Sequence, residues 1–287
     1  MSLFEFLKIL RIQRSPESHK KIPALPSNGS NNINYSLVIL ANNDSLEMAI
    51  YSIRNYYFLA KSQVKTYIFY NGKISNIQKE YLKKQLPIVK IIEKEQYLPY
   101  LPPKLRELTP FVGKLAAPYF VSGRIIYFDP DVLFLSLKGL DRCILKNEIN
   151  FYMKDVGSYY SFSVAKIKKI LGLKIPLAIN SGLMIYNSQI VKQHILQACK
   201  HYFECFEELS QNNDQLNYFA NNKYWYADQT IWAIIFTNQQ SQVLSRKYWL
   251  YAKTGWKKQK MPTDVKAIHF SGPFKNLFWN YYSDMKR

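Results

Sequence analysis

The chain's 287 residues, 48% hydrophobic and 16% aromatic, are enough for one large core or two small ones. Three cysteines, Cys143, Cys199 and Cys205, are odd in number and match neither disulfide nor metal spacing, which excludes a disulfide-stapled scaffold and suits reduced core thiols in a cytoplasmic setting. The formal charge of +19 calls for an anionic partner, be it nucleic acid, a phosphorylated small molecule or an acidic membrane surface.

Residues 1–14 set Leu3, Phe4, Phe6, Leu7, Ile9, Leu10 and Ile12 among Lys8, Arg11 and Arg14. This stretch is too short for a membrane span and carries no small-residue cleavage site. It reads either as a basic helix lying in a headgroup plane or as a helix docked on the protein itself. Residues 15–34, rich in Ser, Pro, Asn and Lys, read as a linker, which leaves 35–287 as one globular unit.

A strand is expected over 36–41, followed by Asn42-Asn43-Asp44 and an apolar-periodic helix through Met48, Ile53 and Tyr57. Asp44 and Glu47 have the spacing of a capping box. Further strands are expected over 65–70 and 88–92 with a helix over 77–86 between them, then a proline-broken loop over 98–110 and a helix over 111–121 that carries Lys114. Strands alternating with helices predict an α/β fold with a mixed, mainly parallel sheet flanked by helices.

Ile125, Ile126, Tyr127 and Phe128 read as a buried strand that ends where Asp129-Pro130-Asp131 begins. Pro130 has no amide hydrogen for a sheet ladder and so marks the strand end. The C-terminal ends of central strands are where open α/β sheets bind ligands. Ionised carboxylates beside so apolar a run are costly without a cation, so the pair reads as a Mg²⁺ or Mn²⁺ site, or else as a turn with two solvated acids.

Downstream, Asn180, Ser181 and Gly182 stand at the mouth of another buried strand, where the glycine permits close approach of backbone or ligand. A helix follows over 190–209, with His194 and His201 on the edge of its apolar stripe and not at the four-residue spacing of a metal pair. Asp228, followed by Gln229, reads as the N-cap of a further helix. The last informative stretch is a strand ending in His269, then a glycine-containing turn with Gly272 and Lys275. It could supply a third metal ligand and a diphosphate clamp.

Taken in order, Asp129-x-Asp131 after an aliphatic strand, Asn180-Ser-Gly182, Asp228-Gln229 and His269-Phe-Ser-Gly-Pro-Phe-Lys275 resemble the GT-A fold nucleotide-sugar glycosyltransferases, in particular the retaining family 8 enzymes of lipopolysaccharide synthesis and the glycogenin type. The resemblance covers residues 35–279. It implies that Asp129, Asp131 and His269 hold Mn²⁺ or Mg²⁺ against the diphosphate of a UDP-sugar donor. It further implies that Ala41, Asn43 and Asp44 meet the uridine, that Lys114 contacts the donor, that Gly272 and Lys275 clamp the phosphates, and that Asn180, Asp228 and Gln229 line the sugar and acceptor side. Lys114 stands where the family usually has an arginine, proline separates the aspartates, and Lys275-Asn-Leu-Phe-Trp279 stretches the family's Lys-Pro-Trp.

The implied activity is metal-dependent transfer of a hexose to a glycan or glycolipid, with retention of configuration; a non-catalytic nucleotide-sugar or nucleic-acid binder is the alternative. Scattered lysines without a zinc or RNA-binding signature count against nucleic acid. Trp249, Tyr251, Trp256, Lys257, Lys258 and Lys260 form a basic-aromatic segment suited to an anionic membrane surface, a phosphorylated glycan or a solvated loop. A peripheral position on the inner membrane face, with a lipid-linked saccharide as acceptor, is the working expectation.

Overall fold

The computed structural model describes residues 25–26, 35–155, 159–211, 214–245, 248–250, 265–270, 275 and 278–279. Residues 1–24, Gly272 and 251–264 therefore lie outside the described residues, and with them the expected N-terminal helix and most of the basic-aromatic segment. Among the described residues no helix is long and apolar enough to cross a membrane.

The β-prone runs become Tyr35–Ala41 (β1), Thr66–Tyr70 (β2), Val89–Glu93 (β3), Arg124–Phe128 (β4), Val132–Phe134 (β5), Asn150–Lys154 (β6), Ile179–Asn187 (β7), Ser241–Val243 (β8), Tyr248–Leu250 (β9) and Ala267–His269 (β10). The main sheet has the order β3-β2-β1-β4-β7-β6-β8. Its strands are parallel except β7, which runs antiparallel to both of its neighbours, β4 and β6.

Side chains alternate between the two sheet faces, as a period of two requires. Val38, Leu40, Tyr67, Phe69, Ile125, Tyr127 and Met184 join one core cluster, shared with the helices Gly113–Phe120, Ser188–Gln211 and Ala227–Thr237. Leu37, Ile39, Ile68, Tyr70, Ile126, Phe128 and Ile185 join the other, covered by the helices Leu46–Ala60 and Asn76–Gln85. Burying a large apolar side chain is worth about 2 kcal/mol, so a one-residue slip in any central strand would be prohibitive. That fixed register sets the direction of everything beyond the strand ends.

A small second sheet brings the carboxyl-terminal region to those ends. β10 pairs antiparallel with β5, setting His269 opposite Val132, and the Phe270 amide donates to the Asp131 carbonyl at 2.9 Å. The chain thus carries an imidazole from far downstream to the acids that follow β4.

Two local expectations are corrected. No Asp44–Glu47 capping box forms. Ser45 occupies the N-cap position without a cap bond, because its hydroxyl and amide turn back to Asn42 Oδ1 at 2.7 and 3.0 Å, while Glu47 is buried. The proline-rich stretch is not all loop, since Pro103 starts the helix Pro103–Leu108 at a position where a missing amide hydrogen costs nothing.

Candidate functional site

Asp129 and Asp131 leave the end of β4 at the turn that leads into β5, and β10 delivers His269 beside them. Each of the three offers one donor atom, and these atoms all lie within 4.8 Å of one another. His269 Nε2 stands 3.2 Å from Asp131 Oδ1 and 3.6 Å from Asp129 Oδ2, and Lys275 Nζ lies 3.3 Å from Asp131 Oδ2. Burial works to raise the Asp131 carboxyl pKa, but the His269 and Lys275 charges outweigh it and hold it at about 2. At His269 burial works to lower the pKa and Asp131 raises it, with a net rise.

The other face of the imidazole is fixed by the chain. Asn180 Oδ1 receives the Gly182 amide at 2.8 Å and contacts His269 Nδ1 at 3.0 Å, while Asn180 Nδ2 donates to Asp155 Oδ2 at 3.0 Å. An amide oxygen only accepts, so Nδ1 carries a proton and Nε2 is the ring nitrogen that faces the two carboxylates, paired with them while protonated and a metal ligand once that proton is displaced. Gly182 is required by this contact: a Cβ there would come within 2.2 Å of His269 Cε1. The glycine's close approach is therefore to the imidazole.

Behind the acids lies Lys114, 5% exposed, on the helix Gly113–Phe120. Its Nζ is 3.1 Å from Asp129 Oδ1, 3.2 Å from Asp228 Oδ2 and 3.2 Å from Ser181 Oγ. Burial pulls the Lys114 pKa down, and the attraction of Asp129 and Asp228 more than reverses this. Asp228 Oδ2 also receives the Ser181 hydroxyl at 2.9 Å, and Tyr127 donates to Asp129 Oδ1 at 2.6 Å. The Tyr127 phenol, raised well above its ordinary pKa chiefly by burial and then by Asp129, stays protonated as that donor. Asp228 is not the N-cap of its helix. It sits in the first turn of Ala227–Thr237, whose N-cap is Tyr226, and its carboxylate is taken by Lys114 and Ser181. Gln229 donates to the Tyr159 carbonyl at 2.8 Å and to Asp155 at 3.4 Å.

In front of the acids opens a cleft of about 410 Å³, lined among others by Ala41, Asn42, Asp44, Asp129, Asp131, Phe111, Trp225, Lys275 and Trp279. Asn43 does not line it. Its side-chain oxygen is held by Tyr70 and by Gln78 Nε2, the latter at 2.8 Å, and Asn42 stands at the cleft instead. Asn180 and Gln229 lie behind the wall rather than on it, and Lys114 meets the cleft lining at Asp129 and at Phe111, whose ring centroid is 5.5 Å from its Nζ.

No family model and no curated protein sequence matches the chain. Solved structures do. Galactosyltransferase LgtC, crystallised with donor and acceptor sugar analogs, matches with a TM-score of 0.57 at 14% identity, over 87% of this chain and 94% of that one. An active-site mutant of LgtC gives 0.59 at 14% identity, over 87% and 95%. Mouse xyloside xylosyltransferase 1, in its apo form, gives 0.54 at 14%, over 82% and 96%. The fold is that of the GT-A glycosyltransferases.

Within this GT-A fold, sequence reasoning had not singled out Tyr127, Asp155, Phe111 or Trp225. Tyr127 lies two residues before Asp129 on the same strand face, a spacing that could have flagged it. Asp155 follows β6 directly, as Asp129 follows β4. Phe111 and Trp225 gave no local signal, because what matters is that their rings meet across the fold, with centroids 5.4 Å apart. His194 and His201 stay on the surface side of their helix, His201 pairing with Glu204 at 2.8 Å.

Proposed function

We propose that the protein is a metal-dependent glycosyltransferase that moves a hexose from a UDP-sugar to a glycan or glycolipid hydroxyl with retention of configuration. The observation that carries this reading is the meeting of Asp129, Asp131 and a tautomer-fixed His269 at one point beside the cleft. Two carboxylate oxygens and an imidazole nitrogen fit Mn²⁺ or Mg²⁺, and such an ion would serve as a Lewis acid for the diphosphate of the donor.

The chain's own groups divide the remaining work. Ala41 and Asp44, with Asn42, border the space for the uridine, and Lys275, half exposed in the cleft, is placed to meet phosphate charge. In transfer, the bond from the anomeric carbon to the phosphate oxygen breaks. The acceptor oxygen bonds to that carbon, and its proton passes to the departing UDP oxygen. Asp228, whose Oδ2 is shared by Lys114 and Ser181, better suits a fixed negative charge behind the sugar than a covalent nucleophile. Asn180 and Gln229 hold the wall on the acceptor side through Asp155. The +19 charge suits a protein that works against an anionic membrane surface carrying a lipid-linked saccharide.

A screen of UDP-galactose and UDP-glucose for Mn²⁺-dependent hydrolysis tests the reading. The wild-type chain is expected to release UDP from one of them. Asp131→Asn is expected to abolish that release while its circular dichroism stays native, and full activity in that variant would remove the metal site from the account.

A further inference from the structure

Immediately before Asp228 and Gln229, the turn Lys223–Tyr226 sets three aromatic residues in a row. Trp225, 42% exposed, faces the cleft beside Phe111, with ring centroids 5.4 Å apart. Tyr224 continues from Trp225 at 5.6 Å, and Phe219, 44% exposed, continues from Tyr224 at 6.1 Å. A row of neighbouring rings thus begins at the cleft and leads away from it, with Trp225 and Phe219 exposed and Phe111 and Tyr224 half-buried against the core. Aromatic surface left open to water, here at Trp225 and Phe219 with the half-buried Tyr224 joining them, is costly and marks an interaction site.

The charge of this row narrows its occupant. In a chain of net charge +19, residues 214–226 carry one acid, Asp214, and one base, Lys223, and so are locally neutral. The rings are bordered by the exposed amides Asn217, Asn221 and Asn222. An anionic lipid surface would call for lysine and arginine among the aromatics, whereas ring faces mixed with neutral amides match a ligand that has apolar C–H faces and many hydroxyls. Pyranose rings have that chemistry, because their C–H hydrogens meet the negative face of an aromatic ring while their hydroxyls bond to amides.

We propose that Trp225, continued by Tyr224 and Phe219, is the platform on which a neutral oligosaccharide acceptor is laid with its terminal hydroxyl toward the cleft. This rests on the glycosyl-transfer reading above and extends it. These three neighbouring rings, with successive centroids 5.6 and 6.1 Å apart, offer more ring surface than a single pyranose covers, so the platform fits an acceptor of two or more sugar units.

Saturation-transfer NMR with lactose and maltotriose as probes, on protein loaded with UDP and Mn²⁺, tests the platform. The expected result is transfer concentrated on the C–H protons of one sugar face, and a loss of oligosaccharide affinity in Trp225→Ala at least about tenfold greater than the loss of UDP affinity, with partial recovery in Trp225→Tyr. Three results would overturn the proposal: UDP bound but neither oligosaccharide bound, a larger effect of Trp225→Ala on UDP than on sugar, or Trp225-dependent flotation with anionic vesicles in place of sugar binding. Failure of the wild-type chain to bind UDP with Mn²⁺ at all would instead strike the transferase reading itself, and the platform with it.

Discussion

Two clusters of carboxylates lie back to back in this fold, joined by Lys114, and they differ in what lies in front of them. In the rear cluster, Asp228 has Lys114 and the Ser181 hydroxyl, and Asp155 has the amides of Asn180 and Gln229. In the front cluster, Asp129 and Asp131 share the space before one imidazole nitrogen, and Lys275 covers Asp131 from the solvent side. A buried acid with protein partners on every side is held and also holds, whereas acids that converge on a shared point beside a cleft are arranged for something that arrives. On the proposed reading the comparison teaches a division of labour, in which the rear cluster positions and the front cluster binds.

The sharpest way to break that division is at Lys114, which belongs to both clusters. Replacing it with methionine leaves Asp228 buried and Asp129 half-buried without their cation, and breaking a buried pair such as Lys114–Asp228 costs about 3–5 kcal/mol. Lys114→Met is expected to lower the urea midpoint accordingly, and a midpoint near that of the wild type would show the rear cluster to be structurally idle.

Asn180 is the smaller lever, because it passes the constraint from Asp155 to His269. Without its oxygen the imidazole loses the acceptor that fixes its tautomer, and losing such an outer partner typically costs 10–100-fold in metal affinity, so about that range is expected for Mn²⁺ with Asn180→Ala. Isothermal titration with Mn²⁺ reads this directly, and unchanged affinity would mean that His269 needs no positioning from behind.

Smallest of all is the expected effect on the apolar core. Burial pushes the Cys199 and Cys205 thiols up to about 12, so at pH 8 both remain neutral in the folded chain. Iodoacetamide is expected to spare both cysteines in the wild type and in Asn180→Ala alike. Labelling in the variant would show that the polar clusters also organise the core, contrary to the division drawn above.

The main strands and the long helix were legible because their apolar spacing is local. β1, β2, β4 and β7 lie where their β-prone runs place them, and the helix Ser188–Gln211 follows its stripe through Val191, Ile195 and Tyr202. The front acids were legible because Asp-Pro-Asp breaks such a run abruptly, and His269 because the order of motifs called for it. Of the rear cluster, Lys114, Asn180, Asp228 and Gln229 were named only through the family resemblance, and their pairings were not legible, since these join β6, β7 and two helices that no short window contains. Asp228 looked like a helix cap because an acid beside a helix start usually is one, and only the arrival of Lys114 from another element gives its carboxylate a different partner. The same competition decided Asn42 and Ser45, whose mutual side-chain bonds displaced the capping box that the spacing of Asp44 and Glu47 suggested.

The most direct test of the front cluster is the electron paramagnetic resonance signal of aqueous Mn²⁺, titrated with protein in the presence of UDP. The wild-type chain is predicted to quench that signal with one ion per chain, and Asp131→Asn to leave it nearly undiminished at the same concentrations. Equal quenching by both proteins would contradict the account, because the ion would then be held somewhere other than between Asp129, Asp131 and His269.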